Sequence, residues 1–107
     1  MDTQLKRGVL EACVLAALLT EDSYGYRIIK DLSPNRTISE STLYPILRRL
    51  EGAGCLSTYT MEHNSRLRKY YSITPRGVER ISAFLTEWKS VMELYSYIKG
   101  EYEREQA

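Results

Sequence analysis

The chain has 107 residues, an apolar fraction of 43% and a formal net charge of +1 at pH 7. This length and composition are typical of one soluble globular domain, for which one core is expected. The near-neutral net charge does not by itself indicate nucleic-acid binding, but the charged residues are unevenly distributed along the chain. Residues 1–76 contain 11 Lys/Arg and 8 Asp/Glu, whereas residues 77–107 contain 4 and 6.

The apolar run VLEACVLAALL follows Lys6 and Arg7 and predicts a central helix over Gln4–Leu19. The run imitates a secretory signal, but Glu11 interrupts it and no small-residue cleavage site follows. It is also too short to span a bilayer. We therefore expect a cytoplasmic protein with no membrane association, in which Cys13 and Cys55 are buried, reduced residues.

Two further helices are expected, joined by Ser33-Pro34-Asn35. The first, Tyr24–Leu32, has Asp22-Ser23 as its cap and would turn Tyr26, Ile29 and Leu32 toward the core. The second would run from the Ser39 cap to about Ala53 and stop at Gly54, with Ile38 and Leu43 at the spacing of a hydrophobic staple. Its inner side would contain Leu43, Ile46, Leu47 and Leu50, and its outer side Ser41, Tyr44, Pro45 and Arg48, with Arg49 at the flank. Because Pro45 lies past the first turn, this helix either starts later, near Ser41, or has a loosened first turn.

The next segment predicts a β-hairpin followed by a long helix. Leu56–Met61 and Leu67–Ile73 alternate in polarity around the polar turn EHNS. Thr74 and Pro75 then have the residue types of an N-cap and a first helical position. The tail Glu101–Ala107 is mostly charged and is expected to fray. The helix would present an apolar seam at alternating steps of four and three, formed by Ile81, Leu85, Trp88, Met92 and Tyr95.

Three helices and a two-stranded hairpin are the layout of a winged helix-turn-helix, a mainly α fold with a small β-hairpin as its wing. The predicted domain division is 1–75 for this unit and 76–107 for a dimerisation helix with a charged tail. In such a fold the third helix enters the DNA major groove and the wing follows the adjacent backbone. Positive side chains occur in both places, and they are Arg48, Arg49, Arg66, Arg68 and Lys69.

Several stretches together resemble the PadR family of bacterial transcriptional regulators. They are RGVLEACVLAALL, SYGYRI, STLYPILRRLEGAGCL and RKYYSITPRG, and the resemblance covers Leu5 to about Trp88. Pro45 belongs to this pattern. The single long last helix is similar to that of the short subgroup of the family.

The resemblance implies a dimeric repressor that binds a palindromic operator on double-stranded DNA and is released by a small aromatic effector. Ser41, Thr42 and Tyr44 would lie on the recognition helix, and Arg68 and Lys69 would meet phosphates. The last helix, with Trp88, would form the dimer interface. Trp88 is either a packing anchor there or, by resemblance alone, one of two indoles that stack on a planar ligand.

Alternatives remain for several of these residues. The wing cations have the pattern of a charged, solvated strand edge as well as of a DNA contact. Arg49 could form an ordinary salt bridge, and His63 fits a solvated turn better than a metal site. The sequence contains no motif of a catalytic, cofactor or metal site, so we expect no enzyme. A helical adaptor that binds another protein through its last helix is the alternative function.

Overall fold

The computed structural model describes residues 3–32 and 38–107. Its elements follow the expected order, and they are α1 (Thr3–Ala17), α2 (Gly25–Leu32), α3 (Glu40–Gly52), β1 (Leu56–His63), β2 (Arg66–Ile73) and α4 (Pro75–Gln106). The mainly α winged-helix fold with a long last helix is confirmed. The segment Ser33-Pro34-Asn35, predicted to end the second helix, lies outside the described residues. Within the described ranges, no helix combines the length and apolar character needed to cross a membrane.

One core joins α1, α2, α3 and the base of the hairpin. Ile28 is fully buried in α2, whereas Tyr26 is 65% exposed, so the predicted inward orientation of Tyr26 is wrong. Gly25 is buried on the side of α2 that approaches α3, and this close approach turns Ile28 inward and Tyr26 outward. The buried apolar residues are Val14, Leu15, Leu18, Ile28, Ile38, Leu43, Ile46, Leu47, Leu50, Cys55, Leu56 and Tyr71.

The third helix begins one residue after Ser39 and keeps Pro45 inside it. Ile38 and Leu43, the two predicted staple positions, are both buried in the core. Ser39 is the N-cap residue but makes no side-chain bond to the helix backbone, contrary to the expected cap. The Ser39 hydroxyl instead contacts the Ser41 and Thr42 hydroxyls, at 2.9 and 3.2 Å. The first turn of α3 therefore carries a cluster of three exposed hydroxyl groups.

The hairpin is longer than predicted because its turn needs only two residues. Asn64 and Ser65 both adopt left-handed backbone angles, with φ of 52° and 65°. Two such residues suit the two-residue hairpin turn whose twist matches that of the strands. The strands consequently pair from Leu56–Ile73 to His63–Arg66. At the base, the backbone of Ser23 exchanges two hydrogen bonds with Tyr71, which fixes the hairpin to the segment before α2.

The last helix starts as the sequence predicts. The Gly77 N–H donates to the Thr74 hydroxyl oxygen at 3.2 Å, and Pro75 occupies the first helical position. The expected fraying of Glu101–Ala107 is not observed, because the helix continues to Gln106. Ion pairs between successive turns, Lys99 with Glu103 and Arg104 with Glu101, support this end. At 32 residues α4 is about 48 Å long, far longer than the 15-residue α1 against which it begins.

Candidate nucleic-acid interface

The outer side of α3 is a polar, exposed surface. Ser41, Thr42 and Arg48 are exposed, and Tyr44 is 37% exposed, whereas the apolar residues on the opposite side are buried. The predicted division of this helix into two sides is confirmed, because residues spaced three and four apart share a side. Hydroxyl and guanidinium groups on such a surface can donate hydrogen bonds to phosphate oxygens and base edges.

The Tyr44 side chain lies on the outer side of α3, but α2 restricts its orientation. Its ring lies against the start of α2, where a methyl group at Gly25 would be 2.8 Å from the tyrosine Cζ atom. Only glycine at position 25 leaves room for the ring in this place. The orientation of Tyr44 on α3 is thus set by a residue of α2.

The two faces of the hairpin separate the wing cations. Directly opposed residues of an antiparallel pair share a face, and neighbours along a strand lie on opposite faces. Arg66 pairs with His63 and Arg68 with Met61, so both arginines share one face. Lys69 pairs with Thr60 on the other face. The three cations are close together in the sequence, but the pleat of the strand places them on two different faces of the hairpin.

The face that contains Arg68 is covered by tyrosines. The Arg68 guanidinium lies 4.0 Å from the centroid of the Tyr24 ring. Tyr24 meets the Tyr70 ring edge-on, and Tyr70 stacks on Tyr59, with centroids 5.5 Å apart in both pairs. Arg68 is therefore held by a cation–π contact beside the start of α2.

The face that contains Lys69 adjoins α3. The Lys69 ammonium lies 5.5 Å from the centroid of the Tyr71 ring and 3.7 Å from a carboxylate oxygen of Glu51. Burial raises the pKa of Tyr71, the neighbouring Tyr44 and Glu51 raise it further, and the nearby positive charge of Arg48 lowers it. Lys69 thus links the wing to Glu51 in the last turn of α3. Glu51 also accepts a hydrogen bond from Thr58 on this face, so the last turn of α3 lies against it.

Arg49 is directed toward the other helices. Its Nε atom lies 3.2 Å from the Glu11 carboxylate of α1, and the same carboxylate lies 3.9 Å from Arg80 of α4. Glu11 is 13% exposed in this position. This geometry favours the salt-bridge alternative for Arg49. Glu11, the residue that interrupts the apolar run of α1, joins three helices.

The predicted dimer seam on α4 is divided between two environments. Ile81 packs on the core of its own subunit, and Trp88 is half-buried beside Phe84, with ring centroids 5.6 Å apart. Leu85, Met92 and Tyr95 are exposed, and every residue from 91 to 100 is exposed. Sequence reasoning did not single out three large exposed residues of the distal half, namely Leu94, Tyr97 and Tyr102.

A cleft lies between α1 and the proximal part of α4, and the charged residues Glu11, Arg80 and Glu87 line part of it. Gly8 and Ala12 contribute from α1 and Ala83 and Phe84 from α4. A methyl group at Gly8 would meet no atom within 4 Å, so the α1 side of this cleft is open. The cleft lies beside the start of the exposed apolar stripe.

Several residues of the site were missed by sequence reasoning. Asp22 was assigned only to a helix cap, yet it accepts a hydrogen bond from the Tyr59 hydroxyl at 2.7 Å. Glu51 was not singled out, yet it contacts Lys69 and accepts a hydrogen bond from the Thr58 hydroxyl at 3.2 Å. The high number of tyrosines, nine in 107 residues, is a sequence signal for such aromatic packing.

Known proteins are similar to this chain in fold and in sequence. Residues 14–83 match the model of the transcriptional regulator PadR-like family. An uncharacterised protein from Lysinibacillus sphaericus is 37% identical over 94 residues, which cover 82% of this chain and 85% of that protein. A transcriptional regulator from Clostridium thermocellum has 31% identity and a TM-score of 0.81, with 89% of this chain and 97% of that chain covered. A PadR family regulator from Eggerthella lenta has 33% identity and a TM-score of 0.80, with 89% and 85% covered.

Proposed function

Because the chain belongs to the PadR-like family of transcriptional regulators, we propose that it is a sequence-specific repressor that binds a palindromic operator as a cytoplasmic homodimer. Residues 1–75 would form the DNA-binding unit and residues 76–107 the dimerisation helix. Family membership supports the coarser role of a DNA-binding regulator.

The observation that carries the proposal is the pair of contacts that Glu51 of α3 makes with Lys69 and Thr58 of the wing. Glu51 shares the side of α3 that contains Tyr44 and Arg48, so these contacts bring that side next to one face of the wing. A helix in the major groove and a wing on the flanking backbone need such a surface. In the proposed complex, Ser41, Thr42, Tyr44 and Arg48 meet the groove, and Lys69 meets phosphate. Arg66 and Arg68 reach the backbone from the other face, and Arg49 has a structural role.

The homodimer is proposed from the exposed apolar stripe on α4. Leu85, Met92 and Tyr95 are more than half exposed, as is Ile98 at the edge of the stripe. Such a stripe on one long helix is stable in water only when a second surface covers it. A second copy would supply an identical stripe, and a two-fold arrangement would use the same residues on both subunits.

Two-fold symmetry leads to a test of the whole proposal. Selection of bound duplexes from a random pool is expected to enrich inverted repeats with half-sites about one helical turn, or a multiple of it, apart. Enrichment of asymmetric sequences would contradict the homodimer. The absence of any enriched sequence would contradict sequence-specific binding.

The response to a small aromatic effector is proposed from Trp88 and Phe84, whose rings lie together at the start of the exposed stripe. Two such pairs across a dimer axis would offer flat surfaces to a planar ligand. Trp88 is the single tryptophan of the chain, so its fluorescence reports on this place directly. Titration with planar aromatic compounds is expected to quench it and to weaken operator binding. Quenching without a change in operator affinity would remove the regulatory role.

The exposed stripe on α4 also suits the alternative of a protein–protein adaptor. Salt dependence separates the two functions. Neutralisation of several phosphates makes affinity for DNA fall by on the order of a thousandfold between 50 and 200 mM salt. An adaptor would bind every duplex weakly and would select none.

A further inference from the structure

Two carboxylates flank the base of the wing, one on each face. The Tyr59 hydroxyl donates to the Asp22 carboxylate at 2.7 Å, and the Thr58 hydroxyl donates to the Glu51 carboxylate at 3.2 Å. Thr58 and Tyr59 are neighbours in β1, so their side chains lie on opposite faces of the hairpin. Each face of the wing therefore donates a hydrogen bond to a carboxylate that lies outside the wing.

The Asp22 contact is one of several contacts between the hairpin and the segment before α2. Tyr59 stacks on Tyr70 with an interplanar angle of 8°, and Tyr70 meets Tyr24 edge-on. Ser23, next to Asp22, exchanges backbone hydrogen bonds with Tyr71. Asp22 thus completes a link between the start of α2 and one face of the wing.

The Glu51 contact links the other face to the recognition helix. One carboxylate oxygen accepts from Thr58, and the other lies 3.7 Å from the Lys69 ammonium. Glu51 is in the last turn of α3, where the helix dipole disfavours negative charge. Neither helix stability nor phosphate binding accounts for an acidic residue here. The contacts of Glu51 with the wing explain its presence.

We propose that Asp22 and Glu51 are positioning residues that hold the wing at a fixed angle to α3, so that both elements can meet one duplex. This role rests on the proposed DNA-binding function. A carboxylate close to a DNA surface repels phosphates, and its removal by itself should strengthen binding. If the carboxylate positions the wing, its removal should instead weaken DNA binding. The two explanations can therefore be separated by one measurement.

The experiment compares the operator affinity of full-length variants with that of the wild type. Asp22→Ala and Glu51→Ala are each expected to weaken operator binding by roughly tenfold, the scale of one lost hydrogen bond to a charged group. Affinity for unrelated duplexes should change little, so the ratio of specific to non-specific affinity falls. The salt dependence should be retained, because neither variant removes a phosphate contact.

Matched variants exclude a general effect of charge or stability. Glu62→Ala removes the same charge from an exposed place on the wing, and it should leave operator binding unchanged or make it tighter. Tyr59→Phe keeps the ring stack and the net charge but removes the donor to Asp22, so it should weaken binding as Asp22→Ala does. Asp22→Asn keeps an acceptor and should restore part of the loss.

A spectroscopic measurement follows the Asp22 contact itself. The hydrogen bond to Asp22 is the main cause that raises the pKa of Tyr59 above its ordinary value. NMR titration of labelled tyrosine should show this pKa moving back toward about 10 in Asp22→Ala. Operator affinity in Asp22→Ala, Glu51→Ala and Tyr59→Phe that equals or exceeds the wild-type value would overturn the positioning role. Failure of the wild type to select any operator would instead overturn the proposed function.

Discussion

The Tyr44 ring occupies the space that a side chain at Gly25 would need. A methyl group at Gly25 would overlap the Tyr44 hydroxyl and lie 2.8 Å from its Cζ atom. Since Tyr44 is 37% exposed, its ring can move outward. One residue of α2 therefore controls the direction of a side chain proposed to contact DNA.

We predict that Gly25→Ala moves the Tyr44 ring away from α2 and weakens operator binding by roughly five- to tenfold, near the lower end of the loss of one base contact. Fluorescence anisotropy with the selected operator measures this change. Gly52→Ala is the matched control, because a methyl group there meets no atom within 4 Å. Operator binding of Gly25→Ala equal to that of Gly52→Ala would remove this role of Gly25.

Tyr44→Ala and Lys69→Ala should differ in kind. Loss of the Tyr44 contact is expected to reduce the preference for the operator over other sequences. Loss of the Lys69 charge should weaken binding to all duplexes and lower the slope of log affinity against log salt by about one unit. Lys89→Ala on the exposed part of α4 is the control for net charge. If both surface variants bind as the wild type does, the assigned surface is wrong.

Tyr95→Glu should disrupt the proposed dimer without disturbing the subunit. Tyr95 is 53% exposed, so a carboxylate there stays hydrated in the monomer but would be buried in the interface. Dimerisation is expected to weaken by at least about a hundredfold, because burial of an unpaired charge costs several kcal/mol. Ser90→Glu places the same charge on the opposite side of α4 and should leave the dimer intact. Analytical ultracentrifugation of both variants decides the matter.

Trp88→Ala tests the other end of the same stripe. Large aromatic side chains contribute strongly to interfaces, so its truncation should weaken the dimer by roughly tenfold or more. Sedimentation measures the dimer constant, and circular dichroism checks that α4 remains helical. An unchanged dimer constant would place Trp88 outside the interface.

Alkaline pH should destabilise the fold through Tyr71. Burial holds the pKa of this phenol above its ordinary value of 10.0, so the unfolded chain ionises first as the pH rises. The stabilising contribution is complete below pH 10 and is lost as the pH rises above it. Denaturant unfolding at pH 8 and pH 11 should show a smaller loss of unfolding free energy in Tyr71→Phe than in the wild type. An equal loss would mean that other groups cause the alkaline effect.

The sequence by itself determined the order of the elements and the two sides of α3. The helical spacing of Leu43, Ile46, Leu47 and Leu50 is visible in the sequence, and the Thr74 cap depends only on neighbouring residues. Both features could therefore be predicted without knowledge of the tertiary structure. Helix ends were less well predicted. The distal end of α4 is helical although its composition suggested fraying, because ion pairs between successive turns support it.

Only the tertiary structure decided how the site is assembled. The register of the hairpin placed Lys69 with α3 and Arg68 with Tyr24, although the two residues are adjacent in the chain. The turn at Asn64-Ser65 sets that register, and a shift by one residue would exchange the faces. The partners of Arg49 and Tyr59 are 38 and 37 positions away. Local pattern fixes which residues lie on one side of a helix, but contacts between distant segments depend on how the whole core packs.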